Sequence, residues 1–408
     1  IVYLTPHAAA EAARNAKRIF LGGCTADPTE ILDAVATDPA LWRDITLTGA
    51  FIPGVNNRDY SSLGLDVNVE TIFMTPGLRI DNALGKVNHL PMHYTTFRDR
   101  IARPGVVDLV VITVPPPQDG TVGLGLCADF APAAIAAGAR LIGLINPAMP
   151  DAVGAPRLPL DRFEVFAETS LQLPELELGT PDEISRKIAR RIGDLLPEGA
   201  TLQLGLGNLQ TAILDALRGR DDLGFHGGMI SDGLLVALSS GEFRRGVTTG
   251  VALGSTSFYD RLGTAELIRF VPVDQTHGII TLSAIPKFVC VNSALEIELT
   301  GQVNAEYLGG VQNSGQGGMV DFIRGARASE GGLSIMAMPS TANRGQVSRI
   351  VAQFSPGTPV SVARSDIDIV VTEHGVADLR EADVKMRRDR LIAVADPAFR
   401  ALLSRESS

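Results

Sequence analysis

Thr201-Leu-Gln-Leu-Gly-Leu-Gly-Asn208, followed by Ile213-Leu-Asp-Ala-Leu217, decides the fold. Four residues of strand composition meet a glycine turn, and a helix follows from Asn208. The same order stands near the start of the chain: Arg18-Ile-Phe-Leu21, then Gly22-Gly23, then Ile31-Leu-Asp-Ala-Val35. A helix precedes each copy. The first covers residues 6–17. The second opens at Thr180-Pro-Asp-Glu183, read as a capping box, and carries Ile184, Ile188, Ile192 and Leu195 at helical spacing. In the first copy Asp27 reads as helix N-cap and Pro28 as the first helical residue. The match predicts an α/β fold of two similarly built three-layer domains, residues 1–178 and 179–408. A second reading stays open, because strand-turn-helix units look alike in any α/β protein.

Working outward, apolar runs bounded by turn residues mark further strands: Val106–Val114, Arg140–Ile145, Gly278–Leu282, Leu333–Met338 and Asp368–Thr372. Their near-continuous apolarity suits parallel strands covered on both faces. The loop Pro115–Gly120 follows such a strand. It is a candidate site wall, since ligands sit beyond the carboxyl ends of strands in these sheets; it reads equally well as a rigid surface turn.

Composition excludes several classes. Of 408 residues, 46 are acidic and 36 basic, for a net charge of −10. That opposes a dedicated nucleic-acid binder. With 45% hydrophobic and 20% charged residues, the chain is not largely disordered. No apolar run reaches the length of a membrane span. Cys24, Cys127 and Cys290 lie far apart and make neither a disulfide framework nor a zinc site. The expected compartment is the cytoplasm, with no targeting segment in view.

Common catalytic devices are missing from the sequence: the phosphate loop, the nucleophile elbow and the zinc helix. Gly205-Leu-Gly207 lacks the third glycine of a dinucleotide fingerprint. His89 and His93 have ligand spacing, but Leu90-Pro91 between them breaks a helix, so no metal site is expected.

The chemistry concentrates between Phe288 and Ile350. Phe288–Leu299 reads as one strand, which places Glu296 and Glu298 on a shared face about 6.6 Å apart. Glu298 then supports Glu296 or is solvated beside it. Further on, Ser314-Gly-Gln-Gly-Gly-Met319 can bring bare backbone N–H groups to a ligand, with Gly315, Gly317 and Gly318 lacking the Cβ that blocks approach. A carboxylate can attack an activated acyl group, and backbone donors can stabilise the resulting oxyanion. The plainer alternative is a half-exposed strand with two solvated glutamates, followed by a turn-rich loop.

The stretch Asn292-Ser-Ala-Leu-Glu-Ile-Glu-Leu-Thr-Gly-Gln-Val-Asn304 resembles the signature of the acetyl-CoA hydrolase/transferase family of CoA-transferases, the family I enzymes that include 4-hydroxybutyrate CoA-transferase. Gly315-Gln-Gly-Gly-Met-Val-Asp-Phe-Ile-Arg324, Pro339-Ser-Thr-Ala342, Ser348-Arg-Ile-Val351 and Thr372-Glu-His-Gly-Val-Ala-Asp-Leu-Arg380 follow in the same order. Upstream, Leu202–Gly207 and Met229–Gly233 also fit. The likeness is strong from 180 to 400 and looser before.

The resemblance implies a CoA-transferase-like pair of α/β domains with the active site at their interface. It makes Glu296 the nucleophile, attacking an acyl-CoA and passing through an acyl-glutamyl anhydride and a glutamyl-CoA thioester to a carboxylic acid acceptor. It implies CoA and acyl-CoA as substrates, no permanently bound cofactor, no metal, no nucleic acid or membrane partner, and a homo-oligomer such as a dimer. Gly22, Gly23 and Gly375 join the glycine loop as candidate oxyanion or CoA contacts. Between Gly309 and Arg349, Arg324, Arg327, Arg344 and Arg349 are candidates for a basic patch facing the anionic CoA.

Departures from the family pattern are His226-Gly227-Gly228-Met229 in place of His-Thr-Glu-Met, Gln210 in place of proline, and Glu381 in place of glycine. They favour an unusual acyl group or acceptor. They also leave room for an acyl-CoA hydrolase or a non-catalytic acyl-CoA-binding protein on the same scaffold.

Overall fold

The computed structural model describes residues 2–406. The chain divides into two compact units. The first comprises the chain up to Glu177 together with Gly228–Asp232 and Thr248–Thr276; the second comprises Leu178–Gly227, Gly233–Val247 and the chain from His277 onward. The assignment of all of 179–408 to one domain is corrected by the two returning segments. Met229–Ile230 pairs in parallel with Val251–Ala252. Val251 is tied in turn to the first unit: Ala128 N donates to Gly250 O and Ala252 N to Leu126 O, each at 2.9 Å. Backbone pairing with residues 126–128 outweighs closeness in sequence.

In the first unit eight strands form one sheet. They are β1 (Tyr3–Leu4), β2 (Arg18–Leu21), β3 (Thr46–Gly49), β4 (Asn68–Thr71), β5 (Val87–His89), β6 (Leu109–Val114), β7 (Arg140–Ile145) and β8 (Val165–Glu168). Their order is β1-β8-β7-β6-β2-β3-β4-β5, with every neighbouring pair parallel. All six residues of β6 are buried, as a strand covered on both faces requires.

Helix α1 (Pro6–Ala12) stops short of the expected residue 17. Asp108 Oδ2 accepts both Lys17 N and Arg18 N at 2.9 Å, which draws the chain into β2. Helix α2 (Thr29–Thr37) begins one residue later than the sequence suggests, with Pro28 at its N-cap. Asp27 does not cap it. Its carboxylate instead accepts from Thr29 Oγ1 (2.9 Å), Tyr60 Oη (2.8 Å) and Asn56 Nδ2 (3.3 Å), and burial pushes its pKa up.

In the second unit six strands lie side by side: β9 (Thr201–Leu204), β10 (Gly224–His226), β11 (Phe288–Asn292), β14 (Leu333–Ala337), β16 (Ile369–Thr372) and β17 (Gly375–Asp378). Their order is β10-β9-β11-β14-β16-β17, parallel except for the closing hairpin β16–β17. A separate three-stranded sheet, β13-β12-β15, is built from β12 (Glu296–Glu298), β13 (Val303–Asn304) and β15 (Ile350–Val351). In both units the strand of the quoted motif, β2 or β9, is internal. The next strand in sequence lies on one side of it, and strands from later in the chain lie on the other. That shared winding is the content of the sequence match.

Helix α3 (Glu183–Leu195) buries Ser185, Ile188, Ala189 and Ile192 and leaves Ile184 exposed. Its N-cap is Asp182, not Thr180: Asp182 Oδ1 accepts from Ser185 N at 2.8 Å. Helix α4 (Asn208–Ala216) starts where the glycine turn predicts. The expected strand Gly278–Leu282 is instead a short helix, α5 (Ile279–Ser283). Ile279 and Ile280 are 50% and 84% exposed, so this apolar run is not a sheet core. Only Leu282 is buried, packed where Gly325 of α6 (Met319–Ala328) has no Cβ. Among the described residues no helix is long and apolar enough to cross a membrane. The three cysteines are free and buried.

The capping geometry is testable by urea unfolding. Asp182→Ala should cost about 1 kcal/mol, Asp182→Asn a few tenths, and Thr180→Ala nothing measurable. Ser185 N–H holds the Asp182 carboxyl below its usual range. Its contribution is therefore full above the unfolded carboxyl pKa and lost as pH falls through the lowered value.

Candidate active site

The strand expected over Phe288–Leu299 is broken. β11 ends at Asn292, and the chain leaves the large sheet before β12 begins at Glu296. Its backbone finds new partners: Leu295 N donates to Asn304 O at 2.9 Å and Ile297 N to Arg349 O at 2.8 Å. Buried backbone groups must be paired, and after Asn292 these are the partners available.

The two glutamates consequently do different work. Glu298 is 4% exposed. Its carboxylate accepts Thr300 N and Gln302 N at 2.8 Å each, and Thr300 Oγ1 as well. It closes the turn through Gly301 (φ +103°) and does not face Glu296 as a solvated neighbour. Glu296 is half-buried. Its Oε1 accepts one hydrogen bond, from Asn304 Nδ2 at 3.0 Å. Its Oε2 accepts none among the described residues.

The glycine loop is anchored just beyond Asn304, where Glu306 O accepts Asn313 N (2.7 Å) and Ser314 N (3.2 Å). The loop runs into α6. Gly317 is left-handed (φ +58°), which its lack of a side chain permits. At Gly318 a Cβ would overlap His277 Nε2. His277 is 3% exposed and packs tilted against Phe322, with ring centroids 4.3 Å apart. Burial, with His226 nearby, lowers its pKa to about 3, so the imidazole is neutral. Bareness at Gly318 thus serves an internal contact. Gly315 is half-buried in the same loop.

The other candidate glycines have local structural reasons. Gly22 and Gly23 belong to the first unit. A Cβ on Gly22 would overlap Ala26 O, and one on Gly23 would sit 2.6 Å from Ala50 O. Gly375 pairs with Thr372 across the β16–β17 hairpin, and a Cβ there would lie 3.3 Å from Val394 Cγ1.

Two quoted motifs do meet in space. Glu373, between β16 and β17, accepts Ser340 N (2.8 Å) and Ser340 Oγ (2.7 Å), joining Pro339–Ala342 to Thr372–Arg380. Asn304, Ser340, Glu373 and His277 were not singled out from the sequence as site residues. The first three stand inside the quoted motifs, but their pairings are long-range.

Most of the arginine patch is engaged. Arg324 pairs with Asp366 (3.4 Å), Arg327 with Asp366 (3.5 Å) and Asp368 (3.2 Å), and Arg349 Nη1 reaches Ala294 O (3.4 Å). Arg344 is exposed and has no partner among the described residues.

Two of the departures from the family pattern, Gln210 and Glu381, are also explained locally. The Gln210 amide lies over its own turn, 3.2 Å and 3.1 Å from where Cβ atoms of Gly205 and Gly207 would be. Glu381 is exposed and left-handed (φ +53°), so a glycine there answers a backbone need and not a pocket. A groove of about 890 Å³ lined by Thr300, Ser348, Val351, Phe399 and Leu402 runs along β15 and does not include Glu296.

Compared with known proteins, residues 254–407 match the family described as the acetyl-CoA hydrolase/transferase C-terminal domain. The 4-hydroxybutyrate coenzyme A transferase of Clostridium kluyveri is 28% identical, over 99% of this chain and 96% of that protein. The succinyl-CoA:cyclohexane-1-carboxylate CoA transferase of Geobacter metallireducens is 32% identical, over 72% of this chain and 69% of that protein. Among solved structures, RipA from Yersinia pestis superposes with a TM-score of 0.91 at 27% identity, covering 100% of this chain and 96% of that one.

The contact beneath the glycine loop can be probed directly. Gly318→Ala should destabilise the protein by about 1–3 kcal/mol through overpacking, and adding His277→Ala should restore part of the loss. Because His277 titrates near 3 when folded against 6.5 as its ordinary value, unfolding stability should fall as pH drops below about 6.5. His277→Phe should flatten that acid limb.

Proposed function

Since this chain belongs to the acetyl-CoA hydrolase/transferase family, we propose that it moves CoA from an acyl-CoA to a carboxylic acid, with Glu296 as the covalent acceptor. The observation that carries the assignment is the state of the Glu296 carboxylate. It is half-buried, fixed at one oxygen and unpartnered at the other, whereas Glu298 is consumed by its turn.

The chemistry is nucleophilic. A Glu296 oxygen adds to the thioester carbonyl, the carbon–sulfur bond breaks, and CoA leaves as thiolate with the electron pair. The acyl-glutamyl anhydride retains the activation of the thioester. The thiolate then adds to the glutamyl carbonyl and expels the first acid, giving a glutamyl-CoA thioester. A second carboxylate reverses both steps and leaves as the new acyl-CoA. CoA and acyl-CoA are substrates, and the cycle uses neither a resident cofactor nor a metal. Water must be kept from the anhydride, or the outcome is hydrolysis. Binding energy from the remote part of CoA helps drive the covalent steps.

The test is to incubate the protein with a panel of acyl-CoAs, trap with hydroxylamine or borohydride, and map the modification by mass spectrometry. Modification at Glu296 is the expected result, and modification elsewhere would retire the mechanism. Supplying acceptor acids should give new acyl-CoA; release of free thiol irrespective of acceptor would make the protein a hydrolase. Glu296→Ala should abolish turnover while acyl-CoA binding persists.

A further inference from the structure

Glu296 and Asn304 are directly paired residues of the β12–β13 ladder, so their side chains stand together on one face. Asn304 is 1% exposed, and its amide orientation is fixed by its own turn. Its Oδ1 accepts Glu306 N at 3.2 Å and Tyr307 N at 3.0 Å. A flipped amide would set its NH₂ against two N–H donors. The NH₂ group therefore faces Tyr307 O (2.7 Å) and Glu296 Oε1 (3.0 Å). The donor is neutral, so it orients the carboxylate without the full charge pairing that an arginine would impose.

Resting on the reading of Glu296 as nucleophile, we propose that Asn304 divides the labour between the two carboxylate oxygens. It holds Oε1, leaves Oε2 to attack, and donates to Oε1 whenever negative charge grows there. Oε2 forms the bond to the acyl carbon as the thiolate departs, so Oε2 bridges the anhydride and Oε1 is the glutamyl carbonyl oxygen. When the thiolate adds to Cδ, the electron pair of the carbonyl moves onto Oε1. It returns as the Cδ–Oε2 bond breaks and the first acid leaves carrying Oε2. The acceptor carboxylate then adds to Cδ and charges Oε1 a second time before the carbon–sulfur bond breaks. The Nδ2–Oε1 distance already lies in the range of a working oxyanion donor.

The test uses the full chain. Asn304→Asp keeps the Oδ1 acceptor for Glu306 N and Tyr307 N and replaces the donor with an oxygen of like charge. Asn304→Ala removes the donor without adding charge. In a single turnover with acyl-CoA, rapid quench and mass spectrometry should show conversion of the Glu296 anhydride to the glutamyl-CoA thioester slowed about 10²–10³-fold in Asn304→Ala and at least as much in Asn304→Asp, whereas the first acylation, in which Oε1 loses charge, is not slowed in Asn304→Ala. The KM for acyl-CoA should stay within about threefold of wild type while kcat falls.

Thioester formation at the wild-type rate in either variant would overturn the role of Asn304 and leave Glu296 as nucleophile intact. A raised KM and lowered thermal midpoint with unchanged thioester formation would reduce Asn304 to a structural residue. Absence of acylation at Glu296 in the wild type would remove the reading beneath the proposal.

Discussion

The second unit depends on one handover of backbone hydrogen bonds. β11 leaves the parallel sheet after Asn292, and the chain is taken up again by Asn304 O and Arg349 O through the N–H groups of Leu295 and Ile297. Without that exchange the buried strand β12 would carry unpaired amides, a cost of the order of 1–3 kcal/mol for each. With it, β12 is clamped between β13 and β15, Ile297 is buried, and Glu296 is set beside Asn304. Glu298, two residues on, spends its charge on Thr300 and Gln302 and so fixes the turn that returns the chain to Asn304.

The α/β class was legible because a parallel strand buried on both faces writes itself as a short apolar run between turn residues. Arg18–Leu21, Arg140–Ile145 and Thr201–Leu204 have the expected bounds. Failures came where local composition and tertiary partners disagree. Phe288–Leu299 contains no glycine or proline, so nothing in its composition marks the change of sheet at residues 293–295. Gly278–Leu282 is as apolar as a strand, yet both of its isoleucines are exposed on α5. Thr180 and Asp182 both satisfy the rule for an N-cap, and only the bond to Ser185 N distinguishes them.

The site was less legible than the fold. A glutamate near a glycine loop is compatible with acyl chemistry and with a solvated strand alike, and resemblance to a family tipped the choice. The register that pairs residue 296 with residue 304 cannot be read from spacing, because the turn between them is stabilised by the Glu298 carboxylate rather than by a turn motif. Glycines in these motifs also answer packing needs within the protein. Gly22, Gly23 and Gly318 each make room for another part of their own unit. Of the arginines in the candidate patch, Arg324, Arg327 and Arg349 have protein partners that spacing along the chain does not show.

The covalent route makes a demand on oxygen atoms that binding or direct transfer does not. In ordinary water, turnover of an acyl-CoA with an acceptor acid labelled with ¹⁸O in its carboxylate must leave ¹⁸O in the enzyme, since the acceptor's bridging oxygen stays on the glutamate when the new acyl-CoA departs. Mass spectrometry of the peptide containing Glu296 should show that gain. Product formation with label confined to the small molecules and none in that peptide would contradict the account.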